Sequence, residues 1–574
     1  MNRILNNNYL LTFLLALIAG IVFIPLIGNC PLFDWDEINF AECAREMIVT
    51  GNYSKVQINY QPFWEKPPFF IWMQALSMNI FGVNEFAARL PNAICGIFTI
   101  VSLYLIGKKF FSQKFGLLWA LVHTGTLLPL LYFKSGVIDP WFNYFIFLSI
   151  ILFIAAINSN SKKWLLAALS GIILGIAVLT KGPAALLIEG VTLFIYLILS
   201  NNLKFMLQPL FYFYVFIILF TSASWFLFEY LTGNSYIVEQ FINYQIRLFE
   251  TEDSGHSGPF IYHAVVLLLG CFPTSILFIL SYKSKKELTL VQSQTRLIML
   301  ILFWVVLILF SIVKTKIVHY SSLCYFPITF IATFGLLHKD LQAKFRSTIK
   351  FLFIFIAVVF FILFMGLTQS NHIIPFLLKN NLIKDEFAKL NLQAELIWVG
   401  YEWLIPLVFS AAMLAIYRGL KTNQLNYMVI GFALNILFLV GAINTFVPKA
   451  ELVSQHAAIT FYKEVAKHDC YVESNNFKSY ASMFYSDRRP HHFASRSHKD
   501  FVANFYAHQE KGAFLLNYYG TANTFWMKEG EIDKPAFLVC KTPDEANLTQ
   551  HQGVVKLYSQ NGFSFFVRMP KYDK

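Results

Sequence analysis

Charge is scarce in this sequence. Asp, Glu, Lys and Arg make up 14% of its 574 residues, against 57% hydrophobic residues and 61 phenylalanines. A chain in water would expose much of that apolar load, so the composition excludes an ordinary soluble enzyme. Cysteine is sparse too. There are seven, none in a C-x-x-C pair, which excludes a zinc ribbon or a thioredoxin-type redox motif. Cys95, Cys271 and Cys324 fall in apolar runs and read as core packing; Cys470 and Cys540 share the C-terminal part and are the pair available for a bridge outside the cytoplasm. Internal repeats and low-complexity tracts are absent, and the missing inverted repeat weighs against a transporter. The formal net charge is +12, yet no basic, aromatic-studded soluble domain accompanies it, so nucleic acid is not an expected partner.

What the chain has instead is apolar runs of about 18 or more residues, recurring through residues 1–446. They predict a polytopic α-helical membrane protein with about thirteen spans, near 9–27, 87–107, 115–133, 141–157, 164–180, 183–200, 209–229, 259–282, 296–313, 320–338, 349–368, 401–417 and 427–446. The first run is too long for a signal-peptide core and no small-residue cleavage site follows it, so it reads as a retained span. Basic residues then sort the loops. Arg3, Lys108, Lys109, Lys114, Lys162, Lys163, Lys204, Lys283, Lys285, Lys286, Lys339, Lys344, Arg346, Lys350, Arg418 and Lys421 fall at the N-terminus and in every second loop, the cytoplasmic pattern. An odd span count puts residues 447–574 outside. That tail is polar, with strand-like runs GAFLLNYY, PAFLVCK, VVKLYS and FSFFVRM and a helical pattern at 454–467, and predicts a small extracytoplasmic α/β domain.

The outward loop 28–86 is long for a membrane connector, and long ordered loops are usually functional. It opens with DWDEINFAECAREM, residues 34–47. Phe40, Ala44, Met47 and Ile48 recur at helical spacing, predicting an amphipathic juxtamembrane helix ended by Thr50-Gly51. Asp36 and Glu37 at its start suit the helix dipole, but that does not explain why Asp34 joins them where span and surface helix meet. A second juxtamembrane helix should start at Pro67-Pro68 and end near Gly82. Lys66 precedes it, at the helix's positive end, where an ammonium is misplaced unless an anion sits there.

Three more outward lysines break the loop-charge rule: Lys181 in LTKGPAALL, and Lys314 and Lys316 in VKTKIVHY. Charge at such depth points to function, although a lysine can also snorkel. Asp139 in KSGVIDPWF is the acidic counterpart, in position to cap the next span or to face a polar cavity. Cations suit a phosphate and carboxylates suit a proton to be removed. The combination suggests a lipid-phosphate donor and a hydroxyl or amine acceptor.

The order of these elements carries a resemblance. DE, AE and RE on the first-loop helix, then EKPP, then FG…E…AARLP, then DP, LTKGP and K-x-x-H-Y, resemble the ArnT-like and protein-mannosyltransferase-like membrane glycosyltransferases of the C superfamily, through the whole membrane part. The resemblance implies a GT-C fold and an inverting transferase using a polyprenyl-phosphate-sugar donor at the outer face of a bacterial inner membrane, with lipid A, a protein or another envelope glycan as acceptor. It implies residues 1–446 as the catalytic membrane part and a periplasmic domain from 447. By motif position, Asp36 corresponds to the catalytic aspartate and Glu37 to its neighbour. Lys66 and Lys181 fall near the donor phosphate, and Asp139, Lys316, His319, Tyr320 and Arg45 are further candidates for substrate binding. No cofactor is required. Some relatives bind a metal near the EKPP glutamate, which would make Glu65 and His256 ligands here. Asn39 and Phe40 stand where many aminoarabinose transferases have Arg and Tyr, and Val318 where a proline is usual, so the sugar and acceptor stay open. The alternative from another class is a flippase or transporter for a lipid-linked sugar.

Overall fold

The computed structural model describes residues 8–34, 36–250, 258–282, 287–337, 341–493, 495–507 and 520–571. Its larger part is a bundle of apolar helices. Among the described residues eight are long and apolar enough to cross a membrane, and ten if each of two bent pairs counts as one span. The pairs are Gln113–Thr124 with Leu127–Phe133, bent by 76°, and Tyr262–Gly270 with Thr274–Ser281, bent by 110°. The breaks fall at Gly125-Thr126 and Cys271–Pro273, where glycine and proline interrupt the helical ladder. Each of the thirteen expected runs forms a helix or a bent helix pair; those at 9–27, 183–200 and 320–338 are described as the shorter helices Asn8–Phe23, Ala184–Leu199 and Tyr325–Leu336. The 16-residue helix Ala184–Leu199 rises about 24 Å, less than the ~30 Å hydrocarbon core.

Small residues let these helices close up. In the hairpin of Glu85–Phe110 and Gln113–Thr124, a Cβ on Gly107 would lie 2.6 Å from the Gly116 Cα, and one on Gly116 would run into the Tyr104 carbonyl oxygen. Backbone meets backbone there, as in other close-packed membrane helix pairs.

Residues 471–568 contain a four-stranded sheet of order β3-β4-β6-β5, with β3 (Tyr471–Ser474) parallel to β4 (Ala536–Lys541) and the pairs of β6 (Phe563–Arg568) with β4 and β5 (Val554–Gln560) antiparallel. Three of the four strand-like runs became β4, β5 and β6. GAFLLNYY, residues 512–519, lies outside the described residues. Cys470 and Cys540 are buried free thiols, not a bridge.

The first-loop helix forms where expected, Asp36–Thr50, and the second runs Phe69–Phe81 with Gly82 at φ 81° behind it. The first has no polar face open to water, contrary to its expected place on the bilayer surface. Every residue from Glu37 to Met47 is buried. One face joins the membrane core through Phe40, packed edge-on to Phe70 at 5.8 Å. The other shares a core with the C-terminal domain: Ile38, Ala41, Cys43 and Met47 belong to one cluster with Tyr462, Phe484 and Phe565. Polar side chains buried with it pair locally. Arg45 is bidentate to Glu42 at 2.6 and 2.7 Å and reaches Asp487 at 3.1 Å. Tyr60, in the turn between β1 (Gln57–Ile58) and β2 (Gln61–Pro62), donates its backbone N–H to Glu46 Oε2 at 2.8 Å.

Two tests follow from this packing. Gly116→Val should drive the hairpin apart and destabilise the protein by about 2 kcal/mol, read as a lower thermal midpoint in detergent. Glu46 is pushed well above its ordinary carboxyl range, by burial first and then by the Glu42 charge. The folded state therefore holds a proton that the unfolded chain releases near pH 4.5. Stability from this group is full below that pH and is lost as pH rises toward the folded value. Glu46→Gln should flatten the fall in thermal midpoint from pH 5 to pH 8; an unchanged slope would remove Glu46 from the account.

Candidate active site

One buried ion pair sets the geometry. Arg89, on the helix Glu85–Phe110, holds Glu37 through Nε at 3.0 Å and Nη2 at 2.8 Å. Its remaining N–H groups donate to the carbonyls of Ile27, Cys30 and Pro31. The same Glu37 carboxylate accepts from the backbone N–H of Phe33 at 2.9 Å and of Gly136 at 2.5 Å. Burial alone would raise this carboxyl; Arg89 and the two amides more than reverse it and hold Glu37 below its ordinary range. The end of the first span, the start of the Asp36 helix and the loop leading to Asp139 are thereby tied to one guanidinium.

Beside this node a chain of charged groups crosses the end of the bundle that faces the C-terminal domain. His319 Nε2 lies 3.4 Å from Asp36 Oδ2 and 3.7 Å from Asp139 Oδ2. Asp139 Oδ1 accepts from Lys181 Nζ at 2.6 Å. The Asp36 side chain is 44% exposed and that of Asp139 4%, so Asp36 is the carboxylate a substrate can reach. The Lys181 ammonium also stands over the rings of Tyr320 at 5.2 Å and Phe142 at 5.7 Å, where the electron-rich faces favour a cation. Lys66 stands 5.3 Å from the Tyr244 ring.

Lys66, Asp139, Lys181 and Tyr320 line a cavity of about 330 Å³, together with Tyr244 and the apolar Leu187, Ile188, Leu309, Phe310, Val313 and Leu323. Asp36 and His319 lie beside its Asp139 and not in the lining itself. The lining is mixed, cationic and apolar.

Asp36, Lys66, Asp139, Lys181, His319 and Tyr320 thus come together from five stretches of the chain. Three other candidates are placed elsewhere. Glu37 is not free to touch a substrate, since both oxygens are taken by Arg89 and backbone amides; it positions Asp36. Arg45 turns into the seam with the C-terminal domain, saturated by Glu42 and Asp487. Lys316 donates to the carbonyls of Phe310, Ser311 and Val313, satisfying the open end of its preceding helix. For the metal candidates, Glu65 accepts from the Tyr244 hydroxyl at 3.3 Å, and His256 lies outside the described residues. Among the described residues no group of three or more His, Cys, Asp and Glu side chains is arranged to hold a metal ion.

Sequence reading missed Arg89, Tyr244 and Lys134. An arginine opening an apolar helix was itself a signal. Tyr244 was hidden in what looked like a plain outer loop and is the helix Ser235–Glu250. Lys134 donates to the carbonyls of Val22, Phe23 and Pro25 at 2.8–3.3 Å, closing the C-terminal end of the first span.

Comparison with known proteins agrees with this architecture. The family described as dolichyl-phosphate-mannose-protein mannosyltransferase matches residues 65–227. The undecaprenyl phosphate-alpha-4-amino-4-deoxy-L-arabinose arabinosyl transferase of Wigglesworthia glossinidia brevipalpis is 28% identical over 346 residues, covering 58% of this chain and 59% of that protein. The protein of the same name from Shewanella sediminis is 28% identical, covering 56% and 60%. The chain thus spans about three-fifths of the length of these curated relatives. The crystal structure of ArnT from Cupriavidus metallidurans in the apo state superposes with a TM-score of 0.73 at 17% identity, covering 97% of this chain and 99% of that one. The same protein bound to undecaprenyl phosphate gives 0.70 at 16% identity, again covering 97% and 99%. The resemblance carried by the sequence motifs therefore extends to the three-dimensional structure, and the chain is ArnT-like, with the GT-C fold.

Proposed function

We propose that this chain is a glycosyltransferase of the inner membrane that moves a sugar from a polyprenyl-phosphate-sugar to a hydroxyl or amine acceptor on its outer face. The observation that carries the reading is the amphiphilic cavity. Two ammonium groups and a set of apolar side chains line it together, and an accessible carboxylate, Asp36, is joined to its Asp139 through His319. A phosphate on a long apolar tail matches this distribution. The names of the relatives and the undecaprenyl phosphate bound by ArnT point to the same donor class.

In this reading the acceptor oxygen or nitrogen attacks the anomeric carbon as its proton passes to Asp36. The bond between that carbon and the phosphate oxygen breaks, and the electron pair leaves with the phosphate. Attack opposite the leaving group inverts the anomeric carbon. The departing phosphate is already a competent anion and needs positioned cations more than a protonating acid. Lys66 and Lys181 supply them. Asp139 holds Lys181 in place against the Phe142 and Tyr320 rings, and Glu37 with Arg89 holds the helix start that carries the base. The acceptor is lipid A, a protein or another envelope glycan.

Asp36→Asn should lower transfer by about 10²–10⁴-fold while donor affinity is retained, measured with purified protein and a radiolabelled polyprenyl-phosphate-sugar. Wild-type turnover by that variant would overturn the assignment of the base. Lys66→Ala and Lys181→Ala should each weaken donor binding roughly tenfold or more, the effect of a lost hydrogen bond to a charged group. Unchanged affinity in both would remove the phosphate role. Transbilayer movement of intact donor in proteoliposomes, without transfer to any envelope acceptor, would favour the transporter instead.

A further inference from the structure

A second cavity, of about 320 Å³, opens in the C-terminal domain at the carboxyl end of β3, within the size range of small-molecule sites, about 300–1,000 Å³. The carboxyl ends of parallel strands are where α/β sheets receive ligands. Its walls are the turn after β3 and one face of the helix Gly520–Glu529. The lining is unlike that of the membrane cavity: Ser474, Asn475, Asn476, Ser479, Thr521 and Thr524 supply amides and hydroxyls, and Phe477, Phe525 and Tyr480 supply ring faces.

Two lining groups stand out. Asn475 is 2% exposed, and its side-chain amide nitrogen has no hydrogen-bond partner among the described residues. Lys528 is 7% exposed, with its ammonium 4.3 Å from the Phe525 ring centroid. Among the described residues no carboxylate is within ion-pair distance of it; burial pushes it below the ordinary lysine range, and the charge of the adjacent Glu529 offsets part of that. Glu473, the one acid in the lining, is spent on Arg488 at 3.0 Å. An unmet amide donor and a largely buried cation beside hydroxyls and rings suit an oxygen-rich ligand carrying negative charge.

The cavity also adjoins the first site. Tyr480 lines it, and its backbone N–H donates to Asp34 Oδ1 at 3.0 Å, two residues from Asp36. Burial raises its hydroxyl well above the ordinary range, and the charges of Glu65, Asp34 and Asp36 add to this. We propose that this cavity is a binding subsite for the anionic saccharide portion of the acceptor, held by Asn475 and Lys528 on the water side of Asp36. The acceptor role rests on the transferase reading above; the saccharide site itself does not.

The test uses the full-length protein in detergent with hexose 1-phosphate as probe, and with the neutral hexose and inorganic phosphate as separate arms, read by saturation-transfer NMR. Hexose 1-phosphate should bind more tightly than either. Lys528→Met and Asn475→Asp should each weaken it roughly tenfold or more, Lys528→Arg should restore it, and Asp36→Asn should leave it intact. A thermal midpoint equal to wild type certifies the fold of each variant. No binding by wild type, or binding indifferent to Lys528→Met and Asn475→Asp, overturns the site, whatever donor consumption shows. Equal binding of inorganic phosphate alone overturns the saccharide and leaves a plain anion site. If the site stands, hexose 1-phosphate should compete with the acceptor and not with the donor in the transfer assay. Competition with the donor overturns the acceptor role.

Discussion

The Glu37–Arg89 pair is the constraint on which the outer end of the molecule depends. Its value is not simple stability. Desolvating both charges costs several kcal/mol each, and their attraction, with the added hydrogen bonds, does little more than return it. What the pair supplies is definition. A guanidinium has five N–H donors in a rigid fork, and here they reach the end of the first span, the turn after it and Glu37 together. Glu37 in turn holds the Gly136 amide, three residues before Asp139. One node therefore sets the relative position of the two carboxylates that flank His319. An apolar replacement would pack but would carry none of this directional information.

The lysines on the outward side divide by what their ammonium groups meet. Lys134 and Lys316 each donate to carbonyls at the C-terminal end of a helix. A span that ends in protein still has carbonyls to satisfy, and a lysine does this while matching the negative end of the dipole. Lys66 and Lys181 meet ring faces and, for Lys181, a carboxylate, an arrangement that leaves donors for a substrate. In sequence the two kinds look alike, each a basic residue at an outer turn. LTKGP marked Lys181 as fixed in a locked turn, and Gly182 stands there at φ 97° ahead of Pro183. VKTKIVHY could not tell Lys316 from a pocket lysine, since the carbonyls it caps lie on the backbone and leave no trace in side-chain identity.

The same distinction governs the rest of what could be read. Helices with a local signature were legible: Asp36–Thr50 from its apolar spacing and Gly51, Phe69–Phe81 from Pro68 and Gly82. So were β4, β5 and β6, from alternation and β-branched or aromatic content. The short strand β3 was not, because Tyr471–Ser474 is four residues and owes its place to β4 beside it. The burial of the Asp36 helix on both faces was not legible either. Nothing local marks Glu42, Arg45 and Glu46 as buried, and only the distant Asp487 and the core around Phe484 and Phe565 show that the C-terminal domain covers the helix.

That covering bears on the chemistry. Asp34 accepts from the Tyr480 amide of the C-terminal domain, and its own amide donates to Gln455. Glu37 is held by Arg89 from the membrane part. Asp36 lies between them, two residues from one anchor and one from the other. A carboxylate held on both sides cannot follow either body alone; its position is a function of how the two are docked. The seam is broad, adding Gln455 to Leu32, Tyr485 to Leu32, Arg488 to Asn59 and Arg45 to Asp487, and it includes the shared apolar core around Phe484 and Phe565. In the proposed transfer reaction, a carboxylate positioned this way suits proton removal from a bound acceptor. The C-terminal domain is then part of what positions Asp36, and any displacement along the seam would move that carboxylate relative to Lys66 and Lys181.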